Sequence, residues 1–213
     1  MEFDHSLMPV ITTGKELYEA DSAMIMLHGR YSNSSDILSL AQFIHSQGMH
    51  FMAPQAAGGS WYPFSFMDPE QANQPGLDNA LSVISSLVNK IAEAGIPQEK
   101  TYLLGFSQGA CLALEFAARN GNKYGGVFGL SGGLIGDKPD TSKYSGHFGG
   151  SPVFLGCSVR DSHIPAARVK EAAWYFEKAG ATVNMKLYKD LGHEISKNEL
   201  DIVNTIILNN GQN

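Results

Sequence analysis

A chain of 213 residues fits one domain, and with 43% hydrophobic and 17% charged residues it has an ordinary globular composition without the marks of disorder or fibre. The net charge of -6 and the scatter of its 15 Lys and Arg exclude a clustered grip on nucleic-acid phosphates and disfavour an anionic membrane surface. Met1-Glu2-Phe3-Asp4-His5 has no basic segment followed by an apolar stretch, and the apolar runs are too short to span a bilayer, so the expectation is a cytoplasmic protein.

Residues 3–11 read as an edge strand. Ala23-Met24-Ile25-Met26-Leu27 is a continuous apolar run of the kind a strand covered on both faces needs, and it ends at His28-Gly29-Arg30. Ser34 or Ser35 can cap a helix running to about Gln47, stopped by Gly48. His50-Phe51-Met52-Ala53 is a second buried strand, ended by Pro54. An irregular segment from Gln55 to Gln74, rich in Gly, Pro and aromatics, has the length that compact domains reserve for functional loops. Leu77 to Ala94 is helical, closed by Gly95 and Pro97. Tyr102-Leu103-Leu104 is strand, and Ala110 to Arg119 is helix. Residues 126–131 and 152–157 form further strands, separated by a Gly- and Ser-containing loop to about Ser151. Pro165 to Lys178 is helical, Thr182 to Tyr188 alternates like a strand at the edge of a sheet, and Glu194 to Leu208 is a closing amphipathic helix. With no internal repeat or linker, this alternation predicts a single α/β domain over residues 1–213, a mainly parallel sheet with helices on both faces. Ligands of such sheets bind at the carboxyl ends of the strands.

The chemistry starts from Gly105-Phe106-Ser107-Gln108-Gly109, placed between an apolar strand and a helix. Gly-x-Ser-x-Gly in that context is a nucleophile elbow, in which the flanking glycines let a sharp turn pass close to its neighbours and expose the serine at a helix N-terminus. A serine hydroxyl is a poor nucleophile at neutral pH and needs a base, itself held by a third group. Of seven histidines, His193 falls between the last strand and the last helix, where that base belongs. His5, His45, His50 and His147 have bland settings. Asp161 follows the strand ending at Cys157 and is the orienting acid, with Asp190 and Asp137 as weaker rivals. The order Ser107, Asp161, His193 is one of the known triad orders. The backbone N–H of Gln108, with that of Arg30 in His28-Gly29-Arg30, suits a tetrahedral oxyanion, leaving His28 as scaffold. Cys111 and Cys157 are placed like buried apolar residues, and a bridge between them would need an oxidising compartment.

With these residues in place the chain resembles the phospholipase/carboxylesterase family of α/β-hydrolases, which includes acyl-protein thioesterases and small bacterial carboxylesterases. The resemblance covers nearly the whole chain through Leu27-His28-Gly29, Ala53-Pro54-Gln55 with Trp61-Tyr62, Gly105 to Gly109, Asp161 with Ile164-Pro165, and Gly192-His193-Glu194. It implies an α/β-hydrolase fold without a separate lid domain, the triad Ser107, Asp161 and His193, an oxyanion hole from Arg30 and Gln108, no metal and no organic cofactor. Pro63 stands where the thioesterases usually carry Asp, and Tyr31 where they carry Gly, which brings the chain closer to the bacterial carboxylesterase branch. Trp61, Tyr62, Phe64, Phe66 and Met67 are the expected apolar wall of a pocket for an acyl chain or aromatic ester. The expected activity is hydrolysis of small to medium carboxylic esters through an acyl-enzyme. The rivals are a long-chain thioesterase or lysophospholipase, a dienelactone-hydrolase-like enzyme, and a dead hydrolase fold serving as a ligand receptor. A homodimer is compatible with the resemblance, although no sequence feature specifies one.

Overall fold

The computed structural model describes residues 4–45 and 47–211. Its strands are β1 (Val10–Gly14), β2 (Ser22–Leu27), β3 (Met49–Pro54), β4 (Thr101–Phe106), β5 (Gly126–Leu130), β6 (Pro152–Ser158) and β7 (Thr182–Tyr188). The helices are α1 (Ser34–Leu38), α2 (Gly76–Glu93), α3 (Gln108–Arg119), α4 (Ala166–Lys178) and α5 (Lys197–Gly211). One sheet takes the order β1-β3-β2-β4-β5-β6-β7. Only β1 runs antiparallel to its neighbour; the other pairs are parallel.

The continuous apolar runs have a direct cause. Successive residues of a strand point to opposite faces, and both faces here are covered. Ala23, Ile25 and Leu27 of β2 enter the core beneath α2, α3 and α4, while Met24 and Met26 enter the second core beneath α1 and α5. Leu103 of β4 and Val153 and Leu155 of β6 join the first core, and Tyr102, Leu104 and Phe154 the second. No helix among the described residues is long and apolar enough to cross a membrane.

Three element boundaries depart from the sequence expectation for an identifiable physical reason. The edge strand is residues 10–14 rather than 3–11; residue 3 lies outside the described residues. Residues 5–7 instead make a 3-10 turn capped by Asp4, and His5 plugs the long loop, accepting from the Ala57 N–H at Nδ1 (2.9 Å) and reaching the Trp61 carbonyl with Nε2 (2.9 Å). The helix expected to reach Gln47 stops at Leu38 and continues only as a 3-10 turn over Ser39–Phe43. There Asn204 of α5 donates to the Phe43 carbonyl and accepts from the His45 N–H, drawing that backbone out of a helical ladder. Its cap is Asn33, whose side chain accepts from the Asp36 N–H, not Ser34 or Ser35. The last helix begins at Lys197 rather than Glu194, because Ser196 and Glu199 form a reciprocal capping box: Glu199 N–H donates to Ser196 Oγ, and Ser196 N–H to Glu199 Oε2.

Candidate active site

The carboxyl ends of β4, β6 and β7 lie on one rim of the parallel part of the sheet, from its central strand to the β7 edge. At the end of β4 the chain reverses at Ser107, whose φ of 55° and ψ of -119° are strained for a residue with a side chain. The turn is possible only because glycines stand two residues to either side of it. A Cβ on Gly105 would stand 2.2 Å from the Gly109 carbonyl oxygen, and one on Gly109 would stand 2.2 Å from the Leu27 carbonyl oxygen. The elbow therefore sits directly on β2 and the loop that follows it. Ser107 N–H is anchored on the Leu130 carbonyl at 3.0 Å, and its own carbonyl accepts from Cys111 N–H in the first turn of α3.

Ser107 Oγ lies 2.8 Å from His193 Nε2, and His193 Nδ1 lies 2.8 Å from Asp161 Oδ2. The Asp161 side chain is fully buried while that of His193 keeps a fifth of its surface exposed at the cleft. Asp161 Oδ1 accepts from the N–H groups of His163 (2.9 Å) and Ile164 (3.0 Å), and the Cys157 thiol approaches Oδ2 at 3.7 Å. Burial opposes ionisation of Asp161, but the hydrogen bonds from His193 and from those two amides together outweigh it and hold the carboxyl below its ordinary range. An ionised Asp161 requires the Nδ1–H tautomer of His193, which leaves Nε2 as acceptor for the serine hydroxyl. The imidazole is held between Phe106 (ring centroids 5.0 Å apart) and His163 (4.7 Å). Its loop is tied down by the Ser158 hydroxyl, which donates to the Leu191 carbonyl. Asp190 and Asp137, the rival acids, are exposed, and His193 Nδ1 is engaged by Asp161 instead.

The cleft beside Ser107 measures about 540 Å³. Tyr62, Phe64 and Phe66 line it, as do Arg30 and Gln108, but Trp61 and Met67 do not. Trp61 is wholly buried behind the wall: its indole N–H donates to the His28 carbonyl at 2.9 Å, and its ring packs on His28 and His5. Met67 is half-buried and packs against the core. The indole follows the demand for burial, and an aromatic-rich loop gives no period by which to tell wall from core. Tyr31, Ile164, Cys111 and His163 also line the cleft, and no short-range signal in the sequence places them there. Both cysteines are free and buried, and burial pushes each thiol up to about 12.

Gly29 brings the loop after β2 against the elbow, where a Cβ on it would sit 3.4 Å from Ser107 Cβ. The next amides, of Tyr31 and Ser32, are engaged by the Gly59 and Gly29 carbonyls, while Gln108 as first residue of α3 has no intrahelical acceptor for its N–H. His28 is a buried scaffold, donating from Nδ1 to the Gly29 carbonyl and accepting at Nε2 from the Ala56 N–H. Gln108 also carries a role that the sequence did not disclose. Its side-chain Oε1 accepts from Trp61 N–H (2.9 Å), and its Nε2 donates to the Tyr62 carbonyl (2.8 Å).

The sequence pattern of phospholipases and carboxylesterases matches residues 15–210. The chain belongs to the phospholipase/carboxylesterase family. Among solved structures, the phospholipase/carboxylesterase from Dyadobacter fermentans superposes with a TM-score of 0.92 at 43% identity, covering 94% of this chain and 96% of that one. Acyl-protein thioesterase 1 of Kluyveromyces lactis is 29% identical over 201 residues, 85% of this chain and 88% of its own length. A probable carboxylesterase of Oryza sativa is 27% identical over 146 residues, 66% of this chain and 54% of the rice protein. Membership of the phospholipase/carboxylesterase family makes this an ester-cleaving hydrolase with the α/β-hydrolase fold. Among the described residues no group of three His, Cys, Asp or Glu side chains could hold a metal ion.

Proposed function

We propose that this family member is a serine carboxylesterase for small to medium acyl or aromatic esters. The observation that carries the reading is the unbroken line from the buried Asp161 carboxylate through His193 to Ser107 Oγ, with both links at 2.8 Å. His193 Nε2 takes the serine proton as Oγ attacks the ester carbonyl, and the Arg30 and Gln108 backbone N–H groups receive the oxyanion. His193 then protonates the leaving alcohol. Water attacks the acyl-enzyme by the same steps in reverse, and Asp161 holds the imidazole in one tautomer and stabilises its charged form throughout. The aromatic faces of Tyr62, Phe64 and Phe66 suit an apolar acyl or aryl group.

The test is kcat/KM across p-nitrophenyl esters from acetate to palmitate, with Ser107→Ala alongside. The expected result is a maximum at short or medium chains and a loss on the order of 10^4-fold or more in the variant. Undiminished hydrolysis by Ser107→Ala would remove the nucleophile assignment. The thioesterase name of the Kluyveromyces lactis relative favours a second reading, long-chain thioester cleavage by the same acyl-enzyme. A maximum at palmitate, with thioesters preferred over oxyesters, would select it.

A further inference from the structure

The segment that walls the cleft and the segment that carries the Arg30 amide are far apart in sequence, and neither has regular structure at that point. The guanidinium of Arg30 joins them. Its Nη1 donates to the Pro63 carbonyl at 2.6 Å and its Nη2 donates to the Phe64 carbonyl, while its carbon lies 5.9 Å from the centroid of the Tyr62 ring. One residue on, Tyr31 N–H donates to the Gly59 carbonyl at 2.7 Å, and Tyr31 itself holds a φ of 61°, a conformation that costs energy for a residue with a side chain. A planar guanidinium offers donors in a fixed fork, so two successive carbonyls gripped by its two terminal nitrogens define its plane and, through its stem, the orientation of its own peptide.

We propose that the Arg30 side chain is a positioning residue: by clamping the Pro63 and Phe64 carbonyls it sets the direction of the Arg30 backbone N–H at the oxyanion. The proposal rests on the reading of that N–H as an oxyanion donor. The wall has a second, independent tie, because the Gln108 side chain holds Trp61 and Tyr62 from α3. The loop after β2 keeps its Tyr31 N–H on the Gly59 carbonyl, so truncating Arg30 leaves most of the wall in place and frees chiefly the Arg30 peptide itself. Ground-state binding, which depends on the wall, is largely kept. Transition-state stabilisation, which depends on the direction of the amide, is lost.

Arg30→Met keeps the apolar stem and removes the fork. On the best p-nitrophenyl ester its kcat should fall about 10- to 100-fold, less than or comparable with complete loss of one oxyanion donor, with KM within about twofold. The inhibition constant of a boronic acid that forms a tetrahedral adduct on serine should rise by the same factor as kcat falls, whereas that of a non-covalent product analogue should not move. A wild-type kcat in Arg30→Met, or a loss carried by KM alone, overturns the proposal. If circular dichroism shows that Arg30→Met does not fold, Arg30→Gln, which keeps one donor, is read by the same split: reduced kcat at unchanged KM supports the clamp, and wild-type kcat overturns it. Ser107→Ala, run alongside, separates the two levels. Retained hydrolysis there overturns the site reading and the clamp with it, while abolished hydrolysis with a wild-type kcat in the Arg30 variant overturns the clamp alone.

Discussion

His193 Nδ1 stands 2.8 Å from Asp161 Oδ2, and the carboxylate that it faces is fully buried, with its other oxygen already holding two backbone amides. That carboxylate can neither rotate to a new partner nor be replaced by water, so the imidazole has one orientation. Replacing it with an amide breaks the tautomer requirement while keeping the shape. Asp161→Asn should lower kcat on the order of 10^4-fold at neutral pH, with the circular dichroism spectrum unchanged, as read by steady-state hydrolysis of a p-nitrophenyl ester. A kcat within about tenfold of wild type would show that the aspartate does not orient the base.

The same carboxylate ties stability to pH. Its pKa in the folded protein lies below its unfolded value, so the unfolded chain binds the proton first as pH falls. The stabilisation from Asp161 is fully present above the unfolded pKa and is lost as pH drops through the folded one. Between about pH 5 and about pH 3, wild type should therefore lose more Tm than Asp161→Asn, which has no carboxylate to protonate. Parallel Tm profiles of the two proteins would refute the linkage.

Glu199 gives the opposite sign. It is wholly buried, Oε2 is taken by Ser196, and Oε1 finds no hydrogen bond among the described residues. Burial pushes its pKa up against the pull of Ser196. The folded state thus holds the proton more tightly than the unfolded chain, and that stabilisation is present below the unfolded pKa and lost as pH rises through the folded one. In Glu199→Gln the neutral amide removes the dependence. The Tm of wild type relative to the variant should fall on going from about pH 5 to about pH 8, and a constant difference would show that Glu199 is ionised throughout.

Removing the Gln108 side chain strands groups that are buried with it. Gln108→Ala leaves the Trp61 N–H without its acceptor and takes one of two donors from the Tyr62 carbonyl, the other being the Ser60 hydroxyl, while keeping the Gln108 backbone N–H. Unmade buried hydrogen bonds cost about 1–3 kcal/mol. A chain of this length should show that as a Tm decrease of roughly 2–10 °C by differential scanning fluorimetry. An unchanged Tm would mean that the loop is held by other contacts.

The elbow glycines make the sharpest steric prediction. A Cβ on Gly109 would meet the Leu27 oxygen at 2.2 Å and the His28 oxygen at 2.6 Å, both rigid backbone, whereas Gly192 has nothing within 4 Å. Gly109→Ala should cost about 3 kcal/mol or more, or prevent accumulation of folded protein, and Gly192→Ala should stay within about 0.5 kcal/mol of wild type in urea unfolding. Equal stability of the two variants would contradict the packing of α3 on β2.

What the sequence determined follows from short-range rules. Apolar runs such as Ala23 to Leu27 declare a strand covered on both faces, because each run must supply two cores at once. Gly105 and Gly109 announce a turn pressed against its neighbours, and the spacing of Ser107, Asp161 and His193 along alternating strands and helices assigns each to the rim of a parallel sheet. Tertiary structure alone decided the rest, since it turns on partners dozens of residues away. Asn204 shortens the helix that Ser34 to Gln47 would otherwise form, and the need to bury the indole sends Trp61 behind the wall while Met67 packs against the core, leaving Tyr62, Phe64 and Phe66 to face the cleft. The side chains of Arg30 and Gln108 reach across 33 to 47 residues of sequence to hold that wall. No local pattern specifies such contacts, because a side chain's hydrogen-bond partner is chosen by what folding brings within reach.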